Sequence, residues 1–240
     1  MSAFSPLLVP AELQAAVSGR AWLAAMLDAE RALAQAGALA GLIPAADASA
    51  IAEECRPDRY EWDVLLEQGR AVGNPVEPLV TALVARVGER SSRYVHLGAT
   101  SQDVMDTAAM LVAARALPLV LGDLRRVAAS CAALARAHRD TPIVGRTLLQ
   151  QAAPTTFGLK AAGWLVAVLD VRSRLAELQA SHLAAQLGGA VGTLAAFGPK
   201  GPEVARLYAR ELGLREPELP WHTNRVVVAE LGASLATTAG

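Results

Sequence analysis

An all-α fold is the expectation for this chain, on three grounds. Alanine and leucine dominate while aromatic residues make up only 4%, a bias that suits helices packed through small side chains over sheets filled by aromatic and β-branched residues. Apolar residues recur at spacings of three and four along most of the chain. Two of these patterned stretches are much longer than an ordinary globular helix. At 240 residues, 53% hydrophobic and 19% charged, the chain can bury a substantial core and is too apolar for general disorder.

From Ala21 to Leu42, Leu23, Met26, Leu27, Ala29, Leu33 and Ala36 keep helical spacing, with Asp28, Glu30 and Arg31 between them; Gly37, Gly41 and Pro44 punctuate the end. Further helices are expected from Ala45, over Tyr60 to Arg70, and from Pro75, where proline suits a first turn because its missing N–H had no partner there. The polar stretch Gly88 to Ser92 and the segment Tyr94 to Thr100 read as an ordered loop. After Ser101 the pattern Val104, Ala108, Leu111, Leu117, Leu121, Leu124, Ala128, Cys131, Leu134 predicts one helix of about 37 residues, roughly 55 Å long. Pro118 should bend it without ending it, because the pattern resumes on the same face. A second long helix is predicted from Pro154 to about Gln186, joined to the first by a polar loop. A glycine cluster, a short helix over Glu203 to Leu212 and a final helix from near Thr223 follow. That last pattern reaches Gly240 without a cap, so a longer C-terminal part is expected. The domain reading is a helical N-terminal domain over 1–100 and the first part of a long-helix bundle over 101–240. Two such helices cannot bury their apolar faces alone, so an oligomer is expected.

Lys plus Arg is 22 and Asp plus Glu is 23, a formal charge of -1, which provides no field to hold a polyanion; nucleic acid is not an expected partner. Cys55 and Cys131 lie far apart without CxxC spacing, which argues for buried thiols in a reducing compartment. Pro6, Pro10 and Glu12 interrupt what would be a signal-peptide core, and no stretch of about 18 residues is free of both charge and proline. A soluble, cytoplasmic chain without a membrane partner is the expectation.

HExxH, GxxxxGK[ST], GxSxG and calcium-loop patterns are absent, so neither metal nor cofactor is expected. The glycines of Gly188 to Gly192 lack the lysine of a phosphate loop. His138 and His182 lie near predicted helix C-termini, where a protonated ring favours the dipole. Two segments carry more polar groups than packing needs: His96 to Asp103 and Gly145 to Gln151. Thr100 and Ser101 precede the long helix, so their hydroxyls and the first free N–H groups suit a substrate carboxylate, although Ser101 reads equally as a plain N-cap. Thr147 and Gln150 offer neutral groups that orient a substrate, or else decorate a linking loop.

At HLGATSQDVMDT (His96 to Thr107), GRTLLQQAAPTTFGLK (Gly145 to Lys160), GGAVGT (Gly188 to Thr193) and PWHTNRVVVAEL (Pro220 to Leu231), in that order, the chain resembles the fumarase/aspartase superfamily. Its members carry out reversible eliminations at a carboxylate-activated double bond. GNPVEPLV (Gly73 to Val80) and the WHTNR block resemble most the 3-carboxy-cis,cis-muconate cycloisomerase branch, which lactonizes a small tricarboxylate in the protocatechuate branch of the β-ketoadipate pathway of aromatic degradation. The resemblance implies a fumarase/aspartase-like bundle, a homotetramer, and active sites shared between subunits without a cofactor. Carried over by motif, Thr100 and Ser101 bind a substrate carboxylate, Thr147 and Gln150 line the same pocket, His96 sits close by, and Asn74 takes a polar position in an early loop. The alternatives are a fumarate-releasing lyase, such as an adenylosuccinate lyase, and a non-catalytic scaffold relative.

Four departures bear on this. Lyases of the superfamily that release an amine or hydroxide often carry histidine after the threonine of the GRT block, where Leu148 stands. A carboxylate leaving group, with an ordinary pKa of about 4, departs without a proton, so Leu148 favours lactonization chemistry. The Arg-Tyr pair of adenylosuccinate lyases is absent near the N-terminus, where Phe4 and Ser5 stand. The serine loop of the form GSSxMPxKxNP, whose serine is the family's proton carrier, does not occur in these 240 residues, so the catalytic group is unassigned; Val226 also stands where the related block has Asp.

Overall fold

A computed structural model describes residues 5–239. The order is α1 (Ser5–Leu8), α2 (Ala11–Ala16), α3 (Gly19–Leu39), α4 (Ala45–Glu54), α5 (Trp62–Gly69), α6 (Val76–Arg86), α7 (Gly88–Ser92), α8 (Ser101–Ala137), β1 (Pro142–Thr147), β2 (Gln150–Thr156), α9 (Phe157–Ser181), α10 (Gly201–Leu212) and α11 (Val226–Ala239), with short 3-10 turns at Pro57–Arg59 and Ala195–Lys200. Phe4 lies outside the described residues. The chain divides into two compact units, one of residues 1–116 with 181–227, the other of 117–180 with 228–240. The fold is helical as expected, its two short strands apart.

In the first unit α3 is the central element. Ser18 caps it by accepting from the Ala21 amide at 3.2 Å, and its alanines let α4 and α10 approach closely. Leu23, Met26, Leu27 and Leu33 of α3 join Ile51 of α4, Leu79 and Leu83 of α6, Val104 and Leu111 of α8 and Tyr208 of α10 in one core. The polar stretch at Gly88 forms the short helix α7 where an ordered loop was expected, tied to α4 by Ser91 Oγ donating to the buried Asp47 carboxylate at 2.8 Å. Cys55 and Cys131 are both buried and free, as expected. Burial pushes the Cys55 thiol well up, so it is inert as a nucleophile.

α8 runs unbroken through Pro118. By length and composition it is apolar enough to cross a membrane, yet 56% of its apolar 18-residue window is buried inside the protein, as in the core helix of a globular fold.

The second unit holds the main correction to the sequence reading. The predicted polar loop is a two-stranded antiparallel hairpin, β1 with β2, pairing Thr147 with Gln150 and Val144 with Pro154 and interrupted by a bulge between Val144 and Arg146. Pro154 therefore lies in a strand and does not open the second long helix, which starts at Phe157. A proline is tolerated there because a two-stranded ribbon has outward-facing positions that need no N–H donor. Leu148 and Leu149 form the two-residue connection with φ of 48° and 61°, the double left-handed geometry of a type I′ turn. At the hairpin base Phe157 packs edge-on to His138, and Gly158 sits so close to the end of α8 that a Cβ would fall 2.7 Å from the Ala135 and His138 carbonyl oxygens.

Candidate active site

The N-terminus of α8 is built around a buried acid that the sequence reading left unassigned. Asp103 is 1% exposed. Its Oδ2 accepts from the Thr100 amide at 3.0 Å, half of a capping box in which the third helical residue reaches back to the residue before the helix. The same oxygen accepts from the Gly189 amide at 2.9 Å, while Oδ1 accepts from Gln186 Nε2 at 2.8 Å and the Gly188 amide at 3.1 Å. The glycine cluster thus cradles an anion, but the anion is the protein's own carboxylate. Gly189 needs its φ of +73°, and a Cβ there would meet the Gly98 carbonyl oxygen at 2.8 Å.

Gln186 continues the network. Its backbone exchanges hydrogen bonds with the Thr107 hydroxyl, donating at 2.9 Å and accepting at 3.0 Å, and its Oε1 accepts from the Trp221 amide at 2.6 Å. The Trp221 indole donates to the Ala185 carbonyl at 3.0 Å. Arg225 donates both terminal nitrogens to the buried Asp106 carboxylate, at 2.7 and 2.9 Å; that bond raises the guanidinium pKa further despite some burial. The motif blocks at 96–107 and 188–193 and the Pro220 to Val227 part of the last block are therefore locked together in the first unit.

The assigned positions sort as follows. Thr100 and Ser101 sit half-buried at the start of α8, and Ser101 is its first helical residue, so the residue in the N-cap place is Thr100. Among the described residues neither hydroxyl has a hydrogen-bond partner, and the Ser101 and Gln102 amides are unpaired too. His96, with φ of 56°, places Nδ1 2.5 Å from Oε1 of Glu30. Burial alone would lower the imidazole pKa, but the hydrogen bond and charge of Glu30, with the charge of Asp103, raise it overall. Asn74 uses its side-chain oxygen to accept from the Val76 and Glu77 amides at 3.0 and 3.4 Å, capping α6. Thr147 and Gln150 face each other at the hairpin tip in the second unit, both exposed.

Asp103, Asp106, Gln186 and Glu30 are the positions sequence reasoning missed. The T-x-x-D spacing of Thr100 and Asp103 was a readable capping signal. Glu30 shares the buried stripe of α3 with Met26, Leu27, Leu33 and Ala34, and a charge on an apolar stripe is itself a signal. Among the described residues no group of three or more His, Cys, Asp or Glu side chains is placed to hold a metal ion.

Comparison with known proteins agrees with this architecture. The chain is 47% identical over 243 residues to a nitrosuccinate lyase of Streptomyces davaonensis, covering 97% of this chain and 51% of that protein. It is equally 47% identical over 246 residues to a 3-carboxy-cis,cis-muconate cycloisomerase of Bradyrhizobium diazoefficiens, covering 100% and 54%. The crystal structure of the 3-carboxy-cis,cis-muconate lactonizing enzyme from Pseudomonas putida superposes with a TM-score of 0.95 at 43% identity, over 99% of this chain and 55% of that one. The chain spans about half the length of the curated relatives it matches. With the lyase family model matching residues 11–239, this chain belongs to the fumarase/aspartase family of lyases.

Proposed function

We propose that the protein carrying this chain interconverts 3-carboxy-cis,cis-muconate and its lactone, with the start of α8 receiving one substrate carboxylate. The observation that carries the reading is the pair of uncommitted hydroxyls, Thr100 and Ser101, beside two unpaired amides at the N-terminus of a 37-residue helix. Helix N-termini favour anions, and neutral donors bind a carboxylate without burying a counter-charge. Asp103 supports this indirectly: by fixing the Thr100 amide and the 188–189 loop it holds the hydroxyl-bearing turn in one conformation.

In the lactonizing direction a substrate carboxylate oxygen bonds to a double-bond carbon and a proton enters at the carbon next to another carboxylate. In reverse, that proton is removed, the C–H electron pair re-forms the double bond, and the C–O bond breaks so that the carboxylate departs as a weak base. Such a leaving group needs no general acid, which suits Leu148 at the tip of the hairpin, 90% exposed, in place of a histidine. The working unit is a homotetramer whose sites draw on several subunits, so that Thr147 and Gln150 reach the pocket from the hairpin. Exposed Leu148, Leu149, Leu159, Trp164 and Val166 in the second unit support an assembled state.

The identity to a nitrosuccinate lyase favours a second reading, expulsion of nitrite from nitrosuccinate. Nitrite is also a weak base, so Leu148 is compatible with both chemistries. The test is ultraviolet absorbance of carboxymuconate, whose conjugated diene is lost on lactonization, with wild-type protein and the variants Thr100→Val and Ser101→Ala. Diene loss that weakens about tenfold or more in kcat/KM on removing either hydroxyl supports the assignment, one charge-assisted hydrogen bond being of that size. Turnover indifferent to both removes the carboxylate site from the start of α8.

A further inference from the structure

We propose that Glu30 is a positioning residue that holds the His96 imidazole protonated and in one orientation, so that its Nε2–H serves as a cationic donor to a substrate carboxylate. The proposal rests on the reading that the adjacent turn of α8 receives such a carboxylate. Glu30 lies wholly buried on α3 among Met26, Leu27, Leu33 and Ala34. An isolated carboxylate there is costly, and an apolar residue of similar volume would serve stability at least as well. Oε1 is engaged by His96, while Oε2 is buried without a partner among the described residues. His96 adds a second local cost, a non-glycine residue in the left-handed backbone region. A half-satisfied buried acid and a strained histidine at one contact are what a functional constraint leaves behind.

The ring is oriented for use. Nδ1 is committed inward to Glu30, and 18% of the His96 side chain reaches the surface. Among the described residues Nε2 has no partner, and it is not among the buried unpaired atoms, so it opens to solvent. The charges acting on His96 are Glu30 from α3 and Asp103 from α8, both negative. Tyr208 of α10 and Cys55 at the end of α4 also face Glu30, and burial keeps both neutral by pushing their pKa values up. Of these groups His96 alone can carry positive charge. It would supply the local cation that a chain of net charge -1 does not provide by composition.

The experiment follows the ring nitrogens of 15N-histidine-labelled protein through a pH titration in wild type, Glu30→Gln and Glu30→Asp, with His96→Gln assigning the signal. The affinity for carboxymuconate and for nitrosuccinate is measured across the same pH range. The expected result is a His96 midpoint above that of an exposed histidine, falling by about one pH unit or more in E30Q and recovering in part in E30D. Affinity should weaken as pH rises through the His96 midpoint, with E30Q about tenfold weaker at a pH where only the wild-type ring stays protonated. A His96 midpoint unmoved in E30Q overturns the proposal, as does an affinity that ignores that midpoint for both ligands. A wrong substrate assignment shows differently, as a switch in preferred ligand with the pH dependence intact. If E30Q fails to fold, the wild-type comparison of midpoint and affinity decides alone.

Discussion

Replacing Asp103 with Asn tests whether one carboxylate organises the site. The native side chain accepts four N–H donors, from Gln186, Gly188, Gly189 and Thr100, at 2.8, 3.1, 2.9 and 3.0 Å. An amide of the same shape keeps one oxygen and points its own N–H donors at two of the four. Two hydrogen bonds to a charged acceptor are lost, at about 1.5 kcal/mol each, so D103N should cost about 3 kcal/mol. Relief of the buried charge works in the opposite direction, but the two stranded donors outweigh it because neither retains an acceptor. A loss of that size is a large part of a domain's total stability. Urea unfolding followed by circular dichroism reads the change in midpoint, and hydrogen exchange at the Gly188 and Gly189 amides reads the local consequence. Asp103→Asn within 1 kcal/mol of wild type, with both amides still protected, would refute the reasoning.

Gly189→Ala should destabilise by about 2 kcal/mol, since its Cβ meets the Gly98 carbonyl oxygen at 2.8 Å in a left-handed backbone; an unchanged melting temperature contradicts this. A double-mutant cycle on Asp106 and Arg225 should give a coupling of only about 1 kcal/mol, because the guanidinium side chain is 45% exposed and screened. The Glu30–His96 pair predicts a pH-dependent stability. Because the folded-state pKa of His96 is raised above its ordinary 6.5, its contribution is fully present below that value and fades as pH climbs through the raised one. Urea midpoints of wild type and E30Q should therefore converge on going from about pH 6 to about pH 9, and a constant gap would contradict the assignment.

The long helix from Ser101 was legible because Val104, Ala108, Leu111 and Leu117 form a stripe whose burial in the folded protein follows the same spacing. The hairpin was not. Its strands are mostly exposed and carry little apolar alternation, and the turn is Leu148–Leu149 where Asn-Gly would have announced a type I′ connection. The anion-ready turn at Thr100 and Ser101 was visible as surplus polarity before a helix. The network behind it was less so, since the hydrogen bonds that Gln186 donates to Asp103 and Arg225 donates to Asp106 span 83 and 119 residues, beyond any local pattern. Glu30 was legible only through its place on the apolar stripe of α3 beside Met26, Leu27 and Leu33, since a charge within an amphipathic helix is ordinarily solvated.

The most direct test of the account compares kcat/KM of the protein carrying this chain for 3-carboxy-cis,cis-muconate and for nitrosuccinate, read in one preparation as loss of diene absorbance and as nitrite release. The account predicts that diene loss dominates and that Thr100→Val lowers it. Nitrite release without diene loss would contradict it and assign the site to the nitrosuccinate chemistry instead.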